Sequence, residues 1–373
     1  MYSAIYMDHN ATTSVRPTVV DAVGDAMAVI GNASSVHGPG RQCKRILENA
    51  RDHVAEVINC QSENVIFTGS GTEANNLALR GLSGIPVLAS TIEHASVRSV
   101  IDHEKIAVDD QCVVNLNQLT RLLQKQTGRV LVSVMLANNE TGAIQPVKDV
   151  VRIAKSFDAV VHCDAVQALG KIDVDMIDLG VDMMTLSAHK IGGPQGVGAL
   201  ILSPAVEIEA LIKGGGQEHR RRGGTENLPG IAGFGEAAKQ VKSERTNFSK
   251  LTILRDQIET AIQSMTGRAA YSSSVARLAN TSCLSMPGVR AETQVMAFDL
   301  EGIAISAGSA CSSGKVEASH VLSAMGLGDD DASSAIRVSL GWNSTQHDVD
   351  RFIDVWKMLY NRLSNDHVMA KAV

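Results

Sequence analysis

Two residues with reactive or charged side chains stand where strand-like segments of the sequence end, and together they could carry Schiff-base chemistry. Lys190 follows an apolar run and lies between His189 and a glycine-rich turn at 191–194, where a surface lysine is rare. Asp164 follows the apolar, strand-like segment 159–162. A lysine amine that forms a Schiff base and a carboxylate that keeps a pyridine nitrogen protonated are the pair that pyridoxal 5′-phosphate (PLP) chemistry requires. The pair therefore predicts PLP chemistry.

A glycine-rich segment at 68–76 lies where a strand-like run passes into a helix-like one. Glycines let the backbone approach an anion, and a helix N-terminus directs free N–H groups and its dipole towards it. Taken alone, the segment is equally well explained as a helix N-cap without a ligand. Beside Asp164 and Lys190, it predicts a cradle for the phosphate of PLP.

Cys311 differs from the other cysteines because small residues flank it on both sides, at 309–310 and 312–314. Such a composition makes a poor core segment and a good mobile loop, where function often resides. Cys311 is therefore the candidate nucleophile. We interpret the remaining cysteines as small buried or incidental residues: Cys43, Cys60, Cys112, Cys163 and Cys283.

Four candidate residues have plainer explanations in the sequence. His94 could be a hydrogen-bonded core histidine. Arg337 could form a structural ion pair, although its planar fork suits a substrate carboxylate better. His162 and Cys163 could suggest a metal site, but neighbouring strand residues point to opposite faces, so we expect no joint ligation and no metal.

Composition excludes several function classes for this 373-residue chain, which is 44% hydrophobic and 20% charged. A formal net charge of -6 argues against nucleic-acid binding, and the basic cluster at 220–222 fits a solvated loop or a local anion site instead. The cysteines show no C-x-x-C spacing, and neither a signal peptide nor a membrane-spanning run is visible. We therefore expect a cytoplasmic protein without a membrane partner.

Strand-like and helix-like segments alternate between residues 15 and 248, which predicts an α/β fold with a mixed, mostly parallel sheet. In such sheets ligands bind outside the carboxyl ends of the strands, where the polar motifs of this chain fall. The pattern changes after Phe248. We expect a large PLP-binding domain at 15–248 and a smaller α/β domain made of 1–14 and 249–373, which carries the Cys311 loop.

The chain resembles the NifS/IscS-like cysteine desulfurases of the class V PLP-dependent aminotransferase family. The resemblance implies the aspartate-aminotransferase-like fold (fold type I), with a large domain, a smaller C-terminal domain and a homodimer. It rests on motifs that run almost from end to end, at 8–13, 31–35, 71–76, 93–94, 138–142, 162–167, 187–190, 215–218, 224–227, 306–313 and 336–341.

The resemblance also implies a role for each residue of the site. The implied catalytic residues are Cys311, which takes the sulfur, Lys190, which holds PLP and shuttles a proton, and His94, which stacks on the cofactor ring. The implied cofactor-binding residues are Gly71, Thr72, His94, Asp164, Gln167, Ser187, His189, Lys190 and, from the partner subunit, Thr225. The implied substrate-binding residues are Asn32, Asn139 and Arg337.

The activity implied is conversion of L-cysteine to L-alanine, with a persulfide on Cys311 that passes to an acceptor such as an iron–sulfur scaffold protein. Two departures from the family pattern concern Ala33, where proline is common, and a C-terminal tail shorter than the one that docks the scaffold. Alternatives are a selenocysteine lyase or another PLP lyase, and an inactive PLP-fold binding or regulatory protein. The acceptor pathway stays open between general iron–sulfur assembly, nitrogenase maturation and tRNA thiolation.

Overall fold

The computed structural model describes residues 4–100, 102–266, 271–308 and 318–370, with the backbone alone at 244–247 and 364–370. The strands of these residues are Ile5–Tyr6 (β1), Val65–Thr68 (β2), Val87–Ser90 (β3), Glu104–Ile106 (β4), Leu131–Ser133 (β5), Val160–Asp164 (β6), Met183–Ser187 (β7), Gly198–Leu202 (β8), Thr281–Ser285 (β9), Ile303–Ala304 (β10), Ser306–Ala307 (β11) and Ala335–Ser339 (β12). The helices are Pro17–Met27 (α1), Gly38–Val57 (α2), Gly71–Arg80 (α3), Ala95–Arg98 (α4), Leu116–Gln124 (α5), Val147–Lys155 (α6), Met176–Leu179 (α7), Leu228–Phe248 (α8), Leu251–Thr266 (α9), Ala291–Leu300 (α10), His320–Ala324 (α11), Asp329–Ser334 (α12) and Gln346–Ala370 (α13).

Within the described residues, seven strands form the central sheet in the order β2-β8-β7-β6-β5-β3-β4. The pairs from β7 to β4 are parallel, whereas β8 runs antiparallel to both of its neighbours. Every residue of β6, β7 and β8 is buried, which is typical of a sheet covered on both faces. The predicted mixed, mostly parallel sheet is confirmed.

The topology brings the ends of several strands to one edge of this sheet. Strand β2 runs in the same direction as β7, because both are antiparallel to β8 between them. The carboxyl ends of β2, β3, β5, β6 and β7 therefore lie at the same edge. Asp164 and Ser187 are the last residues of β6 and β7, and Gly71 begins a helix three residues after β2. The structure thus assembles the polar motifs where ligands bind in open α/β sheets.

Several elements differ in extent from the sequence-based expectation. The apolar spacing of the sequence predicts a helix over 48–58, whereas α2 begins ten residues earlier, at Gly38, because a proline fits its first turn and the His37 side chain caps it. Strand β5 covers only Leu131–Ser133 of the expected 130–136. Strand β4 was not predicted, because only Ile106 of its three residues is buried and no apolar pattern shows.

A second group of elements carries the N-terminal and C-terminal parts of the chain. Strand β12 pairs with β11 and β9, and β1 pairs in parallel with β10. A separate apolar cluster lies beneath them, where Phe298 and Phe352 stack at 5.0 Å beside Trp356. The expected division into 15–248 and 1–14 plus 249–373 stays a prediction, and the pairing of β1 with β10 fits it. Among the described helices, none has the length and apolar character needed to cross a membrane.

Candidate active site at the carboxyl edge of the sheet

A cavity of about 320 Å³ opens at the carboxyl edge of the central sheet. Its volume lies at the lower end of the range for small-molecule sites. The structure brings together there the predicted cofactor residues Gly71, Thr72, His94, Asp164, Gln167, Ser187, His189 and Lys190, together with the predicted substrate residue Asn139.

Lys190 lies on a 3-10 turn that follows β7 directly. Its Nζ donates hydrogen bonds to the backbone oxygens of Asn10 at 2.5 Å and Ala11 at 2.7 Å. Burial, helped by the charge of Arg337, lowers the pKa of Lys190 to about 8. A larger fraction of this lysine is therefore the free, nucleophilic amine near neutral pH than of an exposed lysine.

The turn that carries Lys190 needs a glycine beside it. A Cβ atom at Gly193 would lie 2.9 Å from the backbone oxygen of Ala188, a distance that real Cβ atoms do not adopt. The glycines after Lys190 are thus explained by the close folding of the backbone around the amine.

The Asp164 carboxylate lies on the floor of the cavity, at the end of β6, and is 5% exposed. Its Oδ2 accepts a hydrogen bond from Asn75 Nδ2 at 2.8 Å, and its Oδ1 accepts one from the backbone N–H of Val166 at 3.0 Å. A donor on each oxygen fixes the carboxylate, and the remaining lone pairs can accept a hydrogen bond from a protonated pyridine nitrogen.

The start of α3 forms the rim nearest to β7. Ser70 caps the helix and accepts a hydrogen bond from the Glu73 backbone N–H at 3.1 Å. A Cβ at Gly71 would lie 3.1 Å from Val166 Cγ2 and 3.3 Å from the Ser187 Cβ, closer than ordinary van der Waals contact, so glycine eases the close approach of the helix start to β7. The free N–H groups of this first turn can bind a phosphate.

His189 and Thr72 also lie on this rim. Burial and the neighbouring Lys190 charge lower the pKa of His189 to about 4, so the ring is neutral at physiological pH. Its Nδ1 lies 3.2 Å from the Thr12 hydroxyl, and its other ring nitrogen is left for a ligand.

His94 also lines the cavity, and it is the N-cap residue of α4. The packed protein around the ring lowers its pKa, although solvent in the cavity reaches the ring. Burial lowers the pKa of the fully enclosed His162 to about 4. His94 is therefore a cavity residue rather than a core histidine.

The His162 ring forms hydrogen bonds to both neighbouring strands. Its Nδ1 lies 2.9 Å from the Ser133 hydroxyl and its Nε2 lies 3.0 Å from the Thr185 hydroxyl. The ring therefore connects β5, β6 and β7 inside the sheet.

Arg337 lies on β12 and reaches towards the cavity wall that Asn139 forms. Its Nη2 pairs with Asp8 Oδ1 at 2.7 Å, and its Nη1 donates to the backbone oxygen of Asn139 at 3.2 Å. Its Nε is buried and has no hydrogen-bond partner among the described residues. The structural ion pair that the sequence suggested for Arg337 is thus present, and the buried Nε still needs a hydrogen-bond acceptor.

Besides Arg337, three predicted site residues do not line this cavity. Asn32 is half-buried, and its side chain accepts a hydrogen bond from the Ser34 backbone N–H at 2.8 Å. Thr225 is exposed, next to Gly224 with a φ of 96°. Cys311 lies outside the described residues, as do the small residues that flank it. The roles of all three stay predictions.

Sequence reasoning missed a hydrogen-bonded group behind Lys190. Asn10 is 1% exposed, and its side-chain oxygen accepts from Lys171 Nζ at 2.7 Å. Lys171 Nζ also donates to Gln167 Oε1 at 2.7 Å, which turns the Gln167 amide nitrogen towards the Asn10 backbone oxygen at 2.9 Å. The motif at 8–13 contained Asn10, but only the fold shows that a lysine 161 residues later contacts it.

These residues fit PLP. The amine of Lys190, the fixed carboxylate of Asp164 and the close-packed helix start at Gly71 match the aldehyde, the pyridine nitrogen and the phosphate of PLP, respectively. The neutral His189 ring and the hydroxyl groups of Thr72 and Ser187 add uncharged groups for the phosphate.

Comparisons with known proteins confirm the resemblance seen in the motifs. The aminotransferase class-V family model matches residues 5–352. A cysteine desulfurase IscS of Dictyoglomus turgidum is 37% identical over 97% of this chain and 96% of its own, and a cysteine desulfurase of Cereibacter sphaeroides is 38% identical over 96% of both. An X-ray structure of a NifS-like protein from Rickettsia africae superposes with a TM-score of 0.91 at 36% identity, over 96% of this chain and 99% of that one. The chain therefore belongs to the class-V aminotransferases and, within them, to the PLP-dependent cysteine desulfurases.

Proposed function

We propose that this cysteine desulfurase converts L-cysteine to L-alanine and collects the sulfur as a persulfide on Cys311. The observation that carries the proposal is the convergence of the Lys190 amine and the Asp164 carboxylate on one cavity, with Arg337 hydrogen-bonded to the backbone of the cavity residue Asn139. An amino acid bound there would meet the cofactor-binding wall and a cation for its carboxylate.

The described side chains would hold the cofactor in one orientation. Lys190 Nζ would attach it covalently, Asp164 would accept a hydrogen bond from the pyridine nitrogen, and Gln167 would reach the ring hydroxyl. The N-terminus of α3, with Thr72, Ser187 and His189, would bind the phosphate. When bound, PLP would supply an electron sink for bond breaking in the substrate. The free amine of Lys190 would take the substrate α-proton.

Arg337 and Asn139 orient the substrate. The unpartnered Arg337 Nε can donate to the substrate carboxylate, while Nη1 keeps its hydrogen bond to the Asn139 backbone. Asp8 fixes the guanidinium from behind, at 2.7 Å. A carboxylate held in this way presents the substrate sulfur at a reproducible position.

Sulfur transfer needs a nucleophile outside the described residues. The Cys311 thiolate attacks the substrate sulfur, so that a sulfur–sulfur bond forms while the carbon–sulfur bond breaks. The electron pair of the broken bond stays on the substrate carbon, which takes up a proton to become the methyl group of alanine. Cysteine plus one thiol therefore gives alanine plus one persulfide, with no external oxidant or reductant.

We also propose that the protein is a homodimer, that it is cytoplasmic and that it passes sulfur to an acceptor protein. The exposed position of Thr225, away from the cavity of its own chain, supports a role in the phosphate site of a partner subunit. The free cysteines of the described residues support a reducing compartment. An iron–sulfur scaffold protein is the acceptor class proposed.

Replacement of the nucleophile tests the proposal. Cys311→Ser should bind PLP and L-cysteine, since neither step uses the thiol, but should produce no alanine and retain no labelled sulfur. Cys60→Ser is the matched control, because Cys60 is half-buried and remote from the cavity, and should keep full activity. Full alanine production by Cys311→Ser would contradict the proposal and indicate direct lyase chemistry, as in a selenocysteine lyase.

A further inference from the structure

A continuous chain of hydrogen bonds joins the Asp164 carboxylate to His94, which also lines the cavity. Asn75 Nδ2 lies 2.8 Å from Asp164 Oδ2 and 2.8 Å from Ser96 Oγ. Ser96 Oγ lies 2.8 Å from His94 Nδ1, and the Ser96 backbone nitrogen lies 3.2 Å from the same Nδ1. Asn75 and Ser96 are both buried, at 1% and 7% exposure.

The direction of every hydrogen bond in this chain follows from the chemistry of its groups. The Asp164 carboxylate faces an amide nitrogen, because the Asn75 oxygen in its place would set two acceptors against each other. Asn75 Nδ2 has two hydrogens, and one is directed to each partner. Ser96 Oγ therefore receives a hydrogen from Asn75, and its own hydrogen is free for His94 Nδ1. The Ser96 backbone N–H can only donate to the same atom.

Two donors at Nδ1 leave one arrangement for a neutral His94 ring. Nδ1 must present its lone pair, so the ring hydrogen lies on Nε2. The neutral form is the relevant one, since the surrounding protein lowers the pKa of His94. Nε2 makes no hydrogen bond with any described residue and is the nitrogen left for the cavity.

We infer that Asn75 and Ser96 are positioning residues that fix His94 as the tautomer with its hydrogen on Nε2. His94 then offers the cavity a proton donor and not an acceptor. If the proposed function holds, any role of His94 in the reaction starts with proton donation from Nε2. The Asn75 amide connects His94, through Ser96, to Asp164, so the two side chains are oriented together.

Nitrogen NMR of the holoenzyme tests the tautomer without any activity assay. With ¹⁵N-labelled histidine, the protonated and the lone-pair nitrogens of a neutral ring have well-separated chemical shifts, and the His94→Gln variant identifies the His94 signals. We expect a lone-pair shift for Nδ1 and a protonated shift for Nε2. A ring protonated at Nδ1, alone or together with Nε2 at neutral pH, would overturn the inference.

Matched serine variants test the positioning residues. In Ser96→Ala the Nε2–H population should fall measurably, and kcat should drop about 3- to 10-fold with KM for L-cysteine unchanged, as for loss of one hydrogen bond. Ser96→Thr keeps the hydroxyl and should retain the wild-type shifts, and Ser99→Ala, an exposed hydroxyl at the end of the same helix, should change nothing.

Unchanged His94 shifts in Ser96→Ala would remove Ser96 from this role. If Ser96→Ala fails to fold, the wild-type and Ser96→Thr spectra decide the question. A wild-type enzyme that shows the expected tautomer but makes no alanine would contradict the proposed function and leave the inference standing.

Discussion

The two walls of the cavity differ in how completely the protein satisfies their charged groups. On the sheet wall, the Asp164 carboxylate holds a donor on each oxygen, and Asn75 and Ser96 link it to His94. On the side that Asn139 forms, here called the Arg337 wall, Arg337 contacts Asp8 and the Asn139 backbone but leaves its buried Nε without a partner among the described residues.

The difference separates two kinds of binding. A resident cofactor meets groups that folding has already oriented, so little conformational freedom is lost when it binds. A transient substrate meets a cation whose Nε has no protein partner, and this nitrogen is satisfied only while a carboxylate is present. The sheet wall is therefore expected to decide whether PLP is held, and the Arg337 wall to decide whether cysteine is held.

The largest effect should come from the amine of the sheet wall. Lys190→Ala should abolish the adduct that borohydride traps between protein and PLP, and should lower activity by about 1,000-fold or more, as for loss of a covalent catalyst. Mass spectrometry of the reduced protein gives the readout. Lys155→Ala, an exposed ion-pair lysine, is the control. A pyridoxyl adduct on Lys171 in wild-type protein would show that the wrong amine has been assigned.

A change at the opposite wall should affect the substrate alone. Arg337→Lys should raise KM for L-cysteine about 100-fold, because an ammonium group cannot reproduce the planar fork, while PLP absorbance and occupancy stay unchanged. The exposed Arg152 pairs with Asp149 three residues away, so Arg152→Lys is a suitable control. Loss of PLP from Arg337→Lys would remove the proposed separation between the two walls.

A smaller effect is expected from a change at Thr225, which the proposed dimer places in the phosphate site of the partner subunit. Thr225→Ala should weaken PLP binding about 10-fold, the order expected for one lost hydrogen bond to a charged group, with KM for L-cysteine little changed. Mixing Lys190→Ala protein with a disabling Thr225 variant should then restore part of the activity through hybrid dimers. A fully active monomer in sedimentation would contradict this assignment.

The sequence predicts the two walls unequally. Lys190 and Asp164 stand next to apolar strands, so their convergence follows from the general rule for parallel sheets. Asn75 and Ser96 could not be assigned in the same way, because their roles depend on the spacing of α3, α4 and β6 in three dimensions.

The arrangement of the sheet can likewise be predicted from the sequence only in part. Buried strands such as β6 and β7 have continuous apolar runs, which predict them well. The antiparallel placement of β8 between β2 and β7 leaves no local pattern, since a strand has the same side-chain alternation in either direction. Long-range pairing determines it, as it does the contact between Lys171 and Asn10.

The smallest expected effect is a shift in the pH dependence of PLP uptake, which reports how the charges of the Arg337 wall act on Lys190. Burial and the Arg337 charge lower the pKa of Lys190 to about 8, while the Asp8 charge raises it. The rate at which apoprotein takes up PLP should therefore increase as pH rises through about 8, because the free amine is the nucleophile. Asp8→Asn should move the midpoint to lower pH, and Arg337→Gln should move it to higher pH. Stopped-flow absorbance measures both, with Arg152→Gln as the control, and equal midpoints in the two variants would show that the walls are electrostatically independent.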